Sequence, residues 1–186
     1  MKHIFFIALS TLFIIQTNAQ SRYEYRDTYK IKIPEYMREM QGLNEEASLQ
    51  VGNPVKEVYT IVLDENKAEI IEFLSSQSIY DINSSPLENY SFMMQSYYEE
   101  GIENYNLISE HNFTSGKNFG KTFTFTGTFY NEDLYSNLNV FYYITYIEGR
   151  KNLFQIMSWS LEKNHSKYSN DLKNIGKTLV EDLNFL

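Results

Sequence analysis

The stretch from Phe119 to Leu161 constrains the fold most, because three strand-length runs follow one another there with only turn residues between them. From Phe119 to Tyr130 the pattern has period two: Phe119, Phe123, Phe125 and Phe129 fall on one face, and Thr122, Thr124, Thr126 and Thr128 on the other. That is the signature of a half-buried strand. The next two runs, Leu138 to Ile147 and Leu153 to Leu161, carry large apolar groups at successive positions, Trp159 among them. A sheet accepts such strands when both of its faces are covered, so these two are expected to be central. Glu148, Gly149, Arg150 and Lys151 make a short polar loop with a glycine free to take positive φ, which joins the two runs as an antiparallel hairpin. Helices must therefore pack on the sheet.

At the start of the chain Lys2 precedes an apolar run from Ile4 to Ile15, and Thr17 and Ala19 are small residues of the kind a signal peptidase requires. Residues 1–19 read as a secretory signal, and residues 20–186 as a single globular domain. The run is shorter than the ~20 residues that cross a bilayer, and no second one exists, so no transmembrane span is expected. With no cysteine in the sequence, disulfides, thiolate metal sites, cysteine nucleophiles and the lipidated cysteine of bacterial lipoproteins are excluded. An exported protein, periplasmic or secreted and without a lipid anchor, is the expectation. The net charge of −8 repels phosphate backbones and anionic membranes, which argues against a nucleic-acid partner.

The remaining elements can be read in order. Ser21 to Asp27 is polar and tyrosine-rich and reads as a loose N-terminal arm. Tyr29 to Ile33 alternates and stops at Pro34, which cannot donate a ladder hydrogen bond. Residues 35–46 read as a loop with room for one helical turn, Ala47 to Val51 and Glu57 to Asp64 as strands about a turn at Gly52, Asn53 and Pro54, and Lys67 to Leu74 as either weakly helical or a buried irregular crossing. The clearest helix start is Ser85, Pro86, Leu87 and Glu88: a serine N-cap, proline at the first helical position and glutamate at N3. Leu87, Tyr90, Met94 and Tyr97 are expected to share its inner face, with Gly101 as the stop. Tyr105 to Phe113 returns as a strand. Tyr168, Leu172, Ile175 and Leu179 mark a closing amphipathic helix, expected over Tyr168 to Leu183.

No reaction is legible. Gly116 to Thr122 imitates a phosphate loop but has three residues between its glycines and a strand after the threonine. His111 and His165 are isolated, so no metal or other cofactor is expected. The acidic pairs and clusters at Glu45 and Glu46, at Glu99, Glu100 and Glu103, and at Glu132 and Asp133 lack the spacing of a calcium loop and read as solvated faces. The one stretch offered as a partner-binding site is the loop at residues 130–136. Its Tyr130 and Tyr135 bring large area at low entropic cost, and Glu132 and Asp133 bring charge.

The order of elements resembles that of the Mog1/PsbP-like α/β/α sandwich. The points of resemblance are the opening from Tyr29 to Pro34, the strand from Tyr142 to Glu148, the run from Phe154 to Trp159, and the ending from Leu179 to Phe185. The resemblance covers nearly all of the chain after residue 19. It implies an α+β fold, an antiparallel sheet of six to seven strands flanked by helices. That family includes photosystem extrinsic proteins, a nuclear-transport regulator and bacterial envelope proteins, so it implies a non-enzymatic accessory factor with an envelope protein as partner and no shared active site. Two other functions stay open. A small-ligand or glycan binder would show a concave, tyrosine-lined pocket between sheet and helix; a hydrolase would show two carboxyls facing one cleft. Export is checked by N-terminal sequencing of the protein from its native host: a mature chain beginning at Gln20 is expected, and one beginning at Met1 would refute cleavage.

Overall fold

The computed structural model describes residues 20–115, 118–131 and 135–182. The Phe/Thr alternation does set a strand, Asn118–Asn131 (β7), and the two runs after it form Ser136–Glu148 (β8) and Asn152–Leu161 (β9). With Glu103–Ser115 (β6) they make an antiparallel meander. Earlier strands are Ser21–Tyr25 (β1), Tyr29–Pro34 (β2), Arg38–Glu39 (β3), Leu49–Asn53 (β4) and Val58–Asn66 (β5). The seven-stranded sheet has the order β3-β4-β5-β9-β8-β7-β6, so β8 and β9 are interior, as their apolar runs require. The expected antiparallel sheet flanked by helices is what forms.

Two helices, Lys67–Ser76 (α1) and Pro86–Gly101 (α2), carry the chain from β5 across one face to the far edge. The capping box at Ser85 is complete: its hydroxyl accepts the Glu88 N–H at 3.1 Å, and the Glu88 carboxylate accepts the Ser85 N–H at 2.9 Å. Such a cap stabilises by about 1 kcal/mol. The inner face of α2 runs Leu87, Tyr90, Met94 and Tyr98; Tyr97, expected inside, is 56% exposed, because the step inward from Met94 is four residues and not three.

The opposite face is sealed by His165–Ile175 (α3) and by β2, whose Tyr29, Ile31 and Ile33 join Val58, Val62, Phe154, Ile156, Tyr168 and Leu172 in one buried cluster. Here three sequence expectations need correction. Ser21 to Tyr25 is not a loose arm: it pairs with β2 from Ser21↔Pro34 to Tyr25↔Lys30. Its tyrosines point outward while the half-buried Arg22 and Glu24 pair with each other at 2.7 Å, an inversion that hides the strand from any hydrophobic-pattern reading. The closing helix does not reach Leu183, which lies outside the described residues. It ends at Ile175; a 3₁₀ turn over Gly176–Thr178 follows, and Val180–Glu181 (β10) pairs with β2. Leu179 is still fully buried, reached from an extended backbone, so the same spacing served a different conformation. Finally, Gly149 does not adopt positive φ. The β8–β9 loop is held instead by the Glu181 carboxylate, which accepts the N–H groups of Arg150, Lys151 and Asn152.

Gly176, at the end of α3, is required by close packing, for a Cβ there would lie 2.4 Å from the Cβ and Oγ1 of Thr145 on β8. Gly176→Ala is therefore expected to destabilise by about 1–3 kcal/mol through overpacking. A urea midpoint equal to that of the wild type would show that α3 does not rest on β8 as described.

Candidate functional site

Strand parity divides the main sheet. Residues 154, 156, 158 and 160 of β9 face α3, and residues 153, 155, 157, 159 and 161 face α2. On the α2 side only part of the sheet is covered. Leu87 and Tyr90 pack on Phe123, Phe125, Ile144, Tyr146 and Leu153, leaving the surface over β5 and the ends of β8 and β9 open as a groove of about 950 Å³.

An aromatic row forms its floor, and register explains why. Tyr59 lies opposite Trp159, Trp159 opposite Tyr142, and Tyr142 opposite Phe125, so the four rings stand at one level across β5, β9, β8 and β7. Tyr59 stacks on Trp159 with centroids 5.4 Å apart, and Tyr142 on Phe125 at 4.9 Å. At the outer end the row is seated on Gly52 of β4, where a Cβ would meet the Tyr59 ring at 2.8 Å. Ile61, Met157 and Val140 fill the floor on either side. Trp159, expected in the core from its apolar surroundings, is instead half-buried and faces the groove.

The walls are Met94, Tyr97 and Tyr98 of α2 on one side and residues 42–46 on the other. That loop is held by Gln50, whose Oε1 accepts the N–H groups of Leu43 at 2.8 Å and Asn44 at 3.2 Å. Among the described residues lining the groove the charged ones are Glu46, Glu57 and Glu65, with no lysine or arginine. Glu57 is engaged by Lys163 at 2.6 Å and by the Asn164 amide at 2.9 Å. Glu65 sits deeper, and burial pushes its carboxyl above the ordinary range, with smaller upward contributions from Glu46 and Asp64 and an opposing one from Tyr90. Because its folded value exceeds the unfolded one, ionised Glu65 costs stability at neutral pH, and that cost fades as pH falls through the folded value. Beside it Gln155 is 1% exposed. Its Nε2 donates to the Tyr98 hydroxyl at 2.6 Å, while its Oε1 and the Glu65 Oε2 are buried without a hydrogen-bond partner. Burial also raises the phenols of Tyr98, Tyr142 and Tyr59, so these hydroxyls stay neutral at pH 7.

Of the residues singled out in the sequence, Tyr130 and Tyr135 stand at the outer end of the β7–β8 hairpin, 51% and 85% exposed; Glu132 and Asp133 lie outside the described residues. Phe129, Asn131 and Leu138 of the same hairpin line the groove, so the two regions adjoin. His111 is exposed on the edge strand β6, and His165 stacks on Phe141 with centroids 3.8 Å apart. Among the described residues no three His, Cys, Asp or Glu side chains are grouped to hold a metal ion. No described helix is long and apolar enough to cross a membrane. Tyr59, Tyr142, Trp159, Glu65 and Gln155 were not singled out as site residues by sequence reasoning. The signal for the first three was the strand register, which brings separate runs to one level.

An antiparallel sheet between α1 and α2 on one face and α3 on the other, with the strand order described, is the Mog1/PsbP-like α/β/α sandwich. The chain is similar to the solution structure of the cyanobacterial PsbP protein CyanoP from Synechocystis, with 10% identity, 94% of this chain and 99% of that one covered, and a TM-score of 0.55. It is similar also to the Saccharomyces cerevisiae Ran-binding protein Mog1p, with 9% identity, coverage of 87% and 95%, and a TM-score of 0.52. A Pseudomonas aeruginosa protein of unknown function, described as a putative regulator, matches at 8% identity, coverage of 86% and 96%, and a TM-score of 0.50. No family model and no curated protein sequence matches the chain. Identities this low establish the fold and carry no functional residue.

Proposed function

We propose that this chain is a non-enzymatic, exported binding protein of the cell envelope that holds an apolar ligand in the groove between the sheet and α2. The observation that carries this is the aromatic row left uncovered, with Tyr59, Trp159 and Tyr142 forming the floor of a concavity about 950 Å³ in volume. Concave, mostly apolar sites with a few polar groups are where small molecules bind, and this volume suits a drug-sized ligand. Leaving such a floor open to water costs about 25 cal/mol for each Å² of apolar surface, a cost that a ligand relieves on binding. Three glutamates on one groove also meet part of what a hydrolase needs. Against that role, Glu57 is tied to Lys163 and to the Asn164 amide and is not free to act as acid or base.

A second reading, an accessory factor that grips an envelope protein through Tyr130, Glu132, Asp133 and Tyr135, is favoured by the exposure of the two tyrosines at the hairpin end. That Mog1p is a Ran-binding protein is in keeping with a protein partner. Titration with Nile red, a neutral solvatochromic dye, separates the two. Saturable emission enhancement is expected for the wild type, with affinity lowered about tenfold or more in the double variant Tyr59→Ala, Trp159→Ala. The variant with all four hairpin residues changed to Ser is expected to bind the dye as the wild type does. A dye response unaffected by the Tyr59 and Trp159 changes, at an unaltered melting midpoint, would refute the groove as the site.

A further inference from the structure

Resting on the groove as the ligand site, we propose that its ligand is an organic ammonium ion carrying N–H groups on an apolar body, bound with the nitrogen at Glu65 and Gln155 and the body along the aromatic row. Three independent features converge on this chemistry. The first is polarity. The Gln155 Oε1 and the Glu65 Oε2 are both acceptors, both buried and both unpaired. Buried acceptors without partners are uncommon in folded proteins and cost free energy that a donor recovers. Tyr90, whose hydroxyl is also unpaired, lies against Glu65 and can serve one carboxyl oxygen; the Gln155 Oε1 then still awaits a donor. A ligand bringing several N–H donors on one nitrogen matches this end of the groove, whereas a carboxylate, phosphate or ether oxygen does not.

The second feature is charge. Among the described lining residues the charged ones are Glu46, Glu57 and Glu65, with no basic side chain to balance them, and the whole chain carries −8. Among the described residues Glu57 is the one of the three that pairs with a cation, Lys163. A monocation is drawn in and an anion of the same shape is repelled. The third is the floor itself. The Trp159, Tyr59 and Tyr142 rings line the groove and accommodate the apolar body of such a ligand.

Trp159 is the single tryptophan of the chain and stands in the groove, so its emission reports occupancy directly. The purified protein is titrated with octylammonium, octyltrimethylammonium, 1-octanol and octanoate, each below its micelle concentration. Octylammonium is expected to give a saturable change with affinity about tenfold or more above that of octanol, and octanoate no saturable change. Glu65→Gln is expected to erase the margin of octylammonium over octanol while leaving octanol binding in place. Should Glu65→Gln fail to fold, Glu46→Gln on the exposed rim is expected to narrow the same margin. Equal binding of octylammonium and octanol would overturn the ammonium assignment while leaving the groove as an apolar site. Equal binding of the quaternary and primary amines would overturn the role of the two acceptors. If Nile red binds and none of the four octyl probes does, the ligand class is wrong; if nothing binds, the groove is not a ligand site.

Discussion

The pairing of β5 with β9 holds this molecule together. Nine consecutive residues of β5 are matched, from Val58↔Ser160 to Asn66↔Asn152. They join strands contributed by residues 38–66 to a meander contributed by residues 103–161. Until that register is found neither half has a complete sheet, and the loop between them includes both α1 and α2. Because side chains alternate strictly along a strand, a slip of one residue would exchange the two faces. In a slipped β5, Thr60, bonded to Ser158 at 2.9 Å in the buried layer beneath α3, would face the groove, and Tyr59 would leave Trp159 for a layer with no room for it. The same register that closes the core thus lays out the aromatic row.

The two faces are covered unequally, and the inequality follows from the connections. Below the sheet, α3 and β2 arrive from opposite ends of the chain, and Tyr168, Leu172, Ile175 and Leu179 meet Tyr29, Ile31 and Ile33 over Val58, Val62, Phe154 and Ile156. Above it, α2 must reach the far edge to start β6, so it leans over β7 and β8 and leaves β5 partly uncovered. The polar groups fall at the boundary of the cover. Gln155 is tucked under Tyr98, Gln95 donates to the Tyr146 hydroxyl at 3.1 Å, and Glu65 is caught between α2 and the open groove. Such a boundary is where acceptors can be buried without being matched, and where a ligand that completes the cover has the most to gain.

Most of the scaffold was legible because local chemistry and tertiary need agree there. Phe123 and Phe125 alternate with threonines and are buried, Ser85 and Glu88 cap α2 as their spacing demands, and Pro34 ends β2. Legibility failed where a residue type served an unusual role. Arg22 and Glu24 occupy inner positions that a pattern reading reserves for apolar groups, and Gly176 is set by its closeness to Thr145, which sequence does not reveal. The groove was hidden for a different reason. A run apolar on both faces reads as doubly buried, and whether a helix covers a given half of one face depends on where the connection travels, which no residue of β9 encodes. The loop with Tyr130 and Tyr135 was legible as exposed, but its neighbour Phe129 turns to the groove and shares in the site.

The central claim is that Trp159 stands on an open, preformed floor and not inside a closed core. Acrylamide quenching of its intrinsic fluorescence measures this in the free protein, without any ligand. Emission at an intermediate wavelength, with quenching well above that of a buried indole and below that of the unfolded chain, is the predicted result. A blue-shifted emission that resists acrylamide until the protein unfolds would contradict the account, since it would mean that the sheet face is sealed in solution.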